Sequence, residues 1–216
     1  MVEWSEINTY EKLKLWIENT DNINEKTNDG FNALHLICCN NPSVESISLL
    51  LKNGININEK KNKNRNGWIA WITWNSWTDG WNALHFICHF NPQAIAGPHE
   101  LVECISLLLE NGIDINEKTN EGWNALHLIC RYDPQAIAGP QGLVECISLL
   151  LENGIDINNK NNDGKTPYDL FFKDKDKNKK KYRKLIENMR KEIFDTIYNE
   201  IGLIDDICWI IVDNVL

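Results

Sequence analysis

The sequence predicts an all-α chain, a solenoid of stacked helical hairpins joined by short turns and followed by a helical tail. Three observations carry that expectation. Residues 79–120 recur almost unchanged at 121–162, and a shorter copy occupies 29–62. A repeat of this size is one supersecondary unit that cannot bury its apolar face alone, so copies must stack. Inside each copy, an apolar stripe at helical spacing is bracketed by residues that start and stop helices. Six of the seven cysteines fall at repeat-equivalent places or beside one (Cys38, Cys39, Cys88, Cys104, Cys130 and Cys146). Neighbouring helices pack about 8–10 Å apart, too far for a bridge whose Cα atoms must lie within about 7 Å. The expected state is therefore reduced.

Each unit opens on a helix start. Asn32, Asn82 and Asn124 stand immediately before Ala-Leu-His, and an asparagine there can accept an orphan backbone N–H. The last unit replaces this with Thr166-Pro167, a cap residue followed by the ring that tolerates the first helical position. A second helix follows. Val44, Ile47, Leu50 and Leu51 are matched by Val102, Ile105, Leu108 and Leu109, then by Val144, Ile147, Leu150 and Leu151. Gly54, Gly112 and Gly154 come just after it, where a left-handed residue ends a helix. The polar tract that follows, such as 113–122, alternates briefly and ends in turn residues, the pattern of a short hairpin.

With Asp-Gly-x-Asn-Ala-Leu-His, Ser-Leu-Leu-Leu-x-Asn-Gly-Ile-Asp-Ile-Asn and a closing Asp163-Gly-Lys-Thr-Pro-Tyr-Asp-Leu170, residues 10–190 resemble ankyrin repeats. The resemblance implies a capping half-repeat over 1–28, with Tyr10–Glu18 as its helix. It implies repeats at 29–62, 79–120 and 121–162, a degenerate closing repeat at 163–191, and a helical tail at 192–216. Two departures stand out. The second and third full units carry extra residues, 93–98 and 135–140, between their paired helices. Asn-Ala-Leu-His also stands where the family prefers Thr-Pro-Leu-His. The capping chemistry is the same.

Residues 63–78 interrupt the array with Trp68, Trp71, Trp74 and Trp77 at every third position. An exposed tip of this kind is a contact patch; slippage in a repetitive coding sequence gives the same string without a role. The basic run 173–191, ten Lys/Arg against three Asp/Glu, lies in a chain of net charge −9. It reads as the solvated face of a closing helix, or else as an acidic-partner or nuclear-localisation patch. The acidic balance excludes a general nucleic-acid binder. The longest C-terminal apolar stretch, Ile207–Val212, falls well short of the roughly 20 residues that span a membrane. Neither a signal peptide nor a glycosylation sequon is present. The expected location is the cytoplasm, with the nucleus as the alternative, and the expected state is a monomer.

Catalytic, cofactor and metal chemistry are not expected. His35, His85 and His127 share the Ala-Leu-His position, where the resemblance implies a structural histidine. His89 and His99 are not repeated. The stretch His99-Glu100-Leu-Val-Glu103 lacks the second histidine of a zinc protease helix. No phosphate loop, nucleophile elbow or dinucleotide fingerprint occurs.

The resemblance implies a partner protein on the concave side, met by hairpin tips and first helices. The residues after each turn glycine are Phe31, Trp81, Trp123 and Lys165. The exposed ends of the first helices add Cys39-Asn40, His89-Phe90 and Arg131-Tyr132. Trp, Tyr and Arg are the usual hot-spot types; mutual stacking that stabilises the hairpins is the other reading of the aromatics. An alternative function is an adaptor, in which 185–216 docks a second protein, for example a ubiquitin ligase, while the repeats hold a client. The segments ending in Asp114-Ile-Asn116 and Asp156-Ile-Asn158 also resemble the pattern that asparaginyl hydroxylases modify. Asn58 follows Asn56 rather than an acid and is the poorer match.

Overall fold

The computed structural model describes residues 7, 9–62, 78–90, 98–131 and 139–172. Among these residues there are eight helices and no strand. The helices are α1 (Tyr10–Asn19), α2 (Ala33–Asn40), α3 (Val44–Lys52), α4 (Ala83–Phe90), α5 (Pro98–Glu110), α6 (Ala125–Arg131), α7 (Gly139–Glu152) and α8 (Pro167–Phe172). They form two rows. Helices α2, α4, α6 and α8 pack in succession, and α1, α3, α5 and α7 pack in succession beside them. Cross-contacts α2 to α3, α4 to α5 and α6 to α7 join the rows into helical hairpins. Residues 63–77 of the Trp-rich insertion, the interhelix segments 91–97 and 132–138, and the basic run and tail from 173 onward lie outside the described residues.

Local chemistry starts and stops each helix. The Asn32 Oδ1 accepts the His35 backbone N–H at 2.9 Å, and the His35 Nδ1 accepts the Asn32 N–H in return at 3.2 Å. This reciprocal pair satisfies two orphan donors. The same pair recurs at Asn82–His85 and Asn124–His127. Ser43 caps α3 by accepting the Ser46 N–H, a start that its surroundings had not signalled. At the other end of α5, the Gly112 N–H donates to Leu109 and the Ile113 N–H to Leu108. That pattern requires a left-handed residue at 112, and Gly112 sits at φ 82°. A Cβ there would meet nothing, so conformation alone demands the glycine.

The core runs along the seam of the two rows. Leu34, Ile37 and Cys38 of α2, Ile47 and Leu50 of α3, and Leu84, Phe86 and Ile87 of α4 are buried. Cys104, Ile105 and Leu108 of α5 continue the same seam. The stripe positions divide as the spacing requires: Ile47 and Leu50 are enclosed, while Val44 and Leu51 pack at the margin. The cysteines act as small apolar side chains. All six described thiols are free, and burial pushes Cys130 and Cys146 up to about 12, so they carry no thiolate at neutral pH.

The expected hairpins are tight turns closed by two backbone bonds. The Thr119 N–H donates to the Trp123 carbonyl at 2.8 Å and the Gly122 N–H to the Thr119 carbonyl at 2.9 Å. Thr27–Phe31 and Asn161–Lys165 close identically. At the second turn in chain order the insertion intervenes, yet the Lys61 N–H still donates to the Trp81 carbonyl and the Gly80 N–H to the Lys61 carbonyl, both at 2.8 Å. The extra residues fall in sequence between Asn62 and Asp79, and the base of the turn is unchanged.

Asparagines link each turn to the next. The Asn58 Oδ1 accepts the Asp114 N–H at 2.7 Å, and its Nδ2 donates to the Gly112 carbonyl at 3.0 Å. Asn116 makes the same pair with Asp156 and Gly154, and Asn24 with Asn56 and Gly54. Lys26–Glu59 and Lys60–Glu117 ion pairs at 2.6 and 2.7 Å run alongside. Both are partly exposed and contribute little. Turn glycines complete the packing: a Cβ on Gly30 would collide with the Asn62 carbonyl of the next turn.

Candidate functional site

The face made by the turns and by α2, α4 and α6 is built on the three buried histidines. Each ring hands its second nitrogen to a backbone carbonyl far along the chain. His35 Nε2 donates to the Glu59 carbonyl at 2.8 Å, His85 Nε2 to Glu117 at 3.1 Å, and His127 Nε2 to Lys165 at 3.1 Å. With Nδ1 accepting and Nε2 donating, the His35 and His85 imidazoles are neutral. Burial pulls His35 and His85 down to about 4 and lowers His127. These side chains are framework and have no lone pair left for a metal. Among the described residues, no group of three or more His, Cys, Asp or Glu is placed to hold one.

On this framework the turn aromatics take three different environments. Phe31 is half-buried, with its ring centroid 6.4 Å from His35 and 5.4 Å from Phe86 of the next unit. Trp81 is only 2% exposed. It packs 5.4 Å from Phe86, 4.9 Å edge-on from His89 and 6.2 Å from Phe90. The expectation that Trp81 stands on the surface to meet a partner is therefore corrected, because a large aromatic neighbour at 86 and a two-ring helix end at 89–90 enclose it. Trp123 is half-buried, and the Arg131 guanidinium lies over its ring at 4.9 Å. The residue at the equivalent helix-end position changes from Cys39 to His89 to Arg131 along the array; His89 and Arg131 contact the turn tryptophan of their own unit. Burial, with the Arg131 charge adding to it, pulls His89 down to about 4. The first two are thus neutral, and the third is a cation.

Beside Arg131 lies a groove of about 440 Å³ lined by Trp81, Trp123, Leu128, Arg131, Lys165 and Leu170, among others. Glu121 and Asp163 also reach it, and Asp163 sits 3.5 Å from the Lys165 ammonium. Residues 72–161 match a family model for ankyrin repeats (three copies), and 29–62 match one for the single ankyrin repeat. The chain belongs to the ankyrin-repeat family. A search of curated proteins finds no match.

Within this ankyrin array, Trp123, Arg131 and Lys165 come together around one groove, to which the buried Trp81 also contributes. His89 and Phe90 instead surround Trp81 in the preceding unit, and Phe31 lies one unit further away. Tyr132 lies outside the described residues. Asn116 and Asn158 are exposed, but Asn116 has both amide atoms bound to the next turn. Sequence reasoning missed Lys61, which is buried at 1% exposure with its ammonium 2.7 Å from Asp79 and 5.2 Å from the Phe31 ring. The available signal was a lysine at a position that is Thr27, Thr119 and Asn161 in the other ankyrin turns.

Proposed function

We propose that this ankyrin array is a non-enzymatic interaction module. It binds a partner protein on the face formed by the turns and by α2, α4 and α6. Ankyrin repeats are generic protein–protein interaction modules. The single observation that carries the reading here is the groove at Trp123: a half-buried aromatic, an exposed arginine stacked on it, and adjoining apolar side chains. Those are the residue types in which binding energy concentrates. The protein acts as a monomer in the cytoplasm or nucleus, without nucleic acid or membrane among its ligands. Its net charge of −9 supports this reading, and among the described residues no helix is long and apolar enough to cross a membrane.

The test is affinity purification on the full chain, followed by quantitative binding of the recovered partner in purified form. Trp123→Ala should weaken that binding about thirtyfold or more, with the fold retained by circular dichroism. A partner that binds the variant as well as the parent chain would move the working surface elsewhere. The adaptor alternative rests on residues 185–216, outside the described residues. It requires a second partner that is lost when they are removed.

A further inference from the structure

We infer that the partner seats an Asp or Glu side chain on Arg131 in this groove, as part of an extended segment whose flanking residues are apolar. The inference rests on the reading of this face as the binding surface and names the chemistry it selects. A guanidinium is planar and presents its N–H donors in a fixed fork that matches a carboxylate. Arg131 is exposed and already oriented by the Trp123 ring 4.9 Å beneath it. A planar fork held on a ring has less freedom left to lose when a carboxylate arrives. Among the described residues, no carboxylate forms an ion pair with Arg131.

The other two rungs cannot do the same work. Cys39 occupies the equivalent place in the first full unit, and burial pushes its thiol up to about 11. His89 occupies it in the second and is neutral above about pH 4. Positive charge on the helix-end row is thus confined to the unit that also owns the groove. Glu121 lines the same groove, and Asp163 is held by Lys165. A run of acids would meet repulsion there, so the site takes one carboxylate and then apolar side chains against the half-buried Trp123 and Leu170.

The test is selection of a random dodecapeptide display library on the full chain and, in parallel, on Arg131→Gln and Arg131→Lys. Peptides from the parent chain should share one fixed Asp or Glu beside apolar residues. Arg131→Gln should lose that fixed acid. For a selected peptide, Arg131→Gln should lower affinity about tenfold or more, and Arg131→Lys should restore only part of it, because an ammonium lacks the fork. Changing the peptide's acid to its amide should have the same effect, with no further loss on the Arg131→Gln chain. Peptides that bind the face without an acid preference would overturn the carboxylate assignment and leave the binding face standing. So would an acid preference unmoved by Arg131→Gln. If selection yields nothing, or only peptides that leave Trp123, Arg131 and Lys165 resonances unshifted in NMR, the reading of the face falls, and the carboxylate site with it.

Discussion

The Lys61 ammonium lies 2.7 Å from a carboxylate oxygen of Asp79, eighteen residues further on, and the lysine is 1% exposed. Elsewhere in the array, this turn position holds an acceptor. Thr119 Oγ1 accepts the Trp123 N–H and Asn161 Oδ1 accepts the Lys165 N–H. A lysine has only donors to offer, so the polarity of the turn is reversed and the carboxylate at 79 becomes the acceptor. The pair spans the two ends of the Trp-rich insertion.

Removing one member of that pair should be severe. Asp79→Ala leaves a buried ammonium without its carboxylate and is expected to destabilise the protein by about 3–5 kcal/mol. Lys61→Thr, which restores the residue type of the other turns, should do much less harm. Urea denaturation of the two variants gives the comparison. Equal losses would mean that the ion pair is not what matters at this turn.

The insertion itself should be removable. Deleting 63–78 together with Lys61→Thr produces Thr-Asn-Asp-Gly-Trp, the turn that Thr27–Phe31 already uses with Phe in the last place. Since both closing backbone bonds are present across the insertion, the shortened chain should fold cooperatively with a melting temperature at or above that of the parent. A molten product would show that the inserted residues hold the array together.

Acid should loosen the array through its histidines. His35 and His85 sit at about 4, against 6.5 for a free imidazole, so between those values the unfolded chain binds more protons than the folded one. Stability should be level above about pH 7, fall as pH drops through 6.5, and stop falling on this account near 4. A shift of this size corresponds to about 3 kcal/mol per histidine. Urea midpoints from pH 4 to 8 will read this directly. Stability that is flat across this window would contradict the neutral, doubly bonded imidazoles.

Trp81 and Trp123 occupy the same place in adjacent repeats but should fail differently when truncated. Trp81→Ala opens the core and should cost about 3–5 kcal/mol of stability, with binding lost only in proportion to unfolding. Trp123→Ala should spare most of the stability and weaken the partner. Neutralising Lys179–Lys184 should cost about 0–1 kcal/mol of binding per charge, screened by salt. Denaturation and binding on the same preparations separate the three cases.

Hydroxylation, if it occurs, should favour Asn158 over Asn116. The Asn116 amide is tied at both ends to the following turn, whereas the exposed Asn158 side chain has no such bridge among the described residues. Peptide mapping by mass after incubation with an asparaginyl hydroxylase should place the added oxygen at 158 first. Faster modification at 116 would show that the bridges open readily.

Much of the fold was legible because helix starts and stops are local. The asparagine before Ala-Leu-His and the glycine after Leu-Leu-Leu act on backbone groups within a few residues, so their spacing carries the geometry. Exposure was not legible in the same way. Repeat equivalence placed Trp81 beside Trp123, but a phenylalanine at 86, where the other units have Leu36 and Leu128, and rings at 89 and 90 decide its burial. Lys61 was hidden for a related reason. Lysine is rarely enclosed unless paired, and its partner lies across an insertion whose turn geometry only the backbone bonds reveal.

The asparagine bridges have a consequence for how the array comes apart. Asn24, Asn58 and Asn116 each reach only into the next turn, so none of them strengthens the unit that carries it. They act purely as couplings in a linear chain of neighbours, where the coupling strength decides whether repeats melt together or one by one. Losing two amide bonds at Asn58, about 1–3 kcal/mol, leaves each side intact and weakens only the joint. Asn58→Ala should therefore turn one sharp unfolding transition into a broad or stepped one. Part of the unison between repeats is thus carried by single side-chain amides, alongside the packed helix rows.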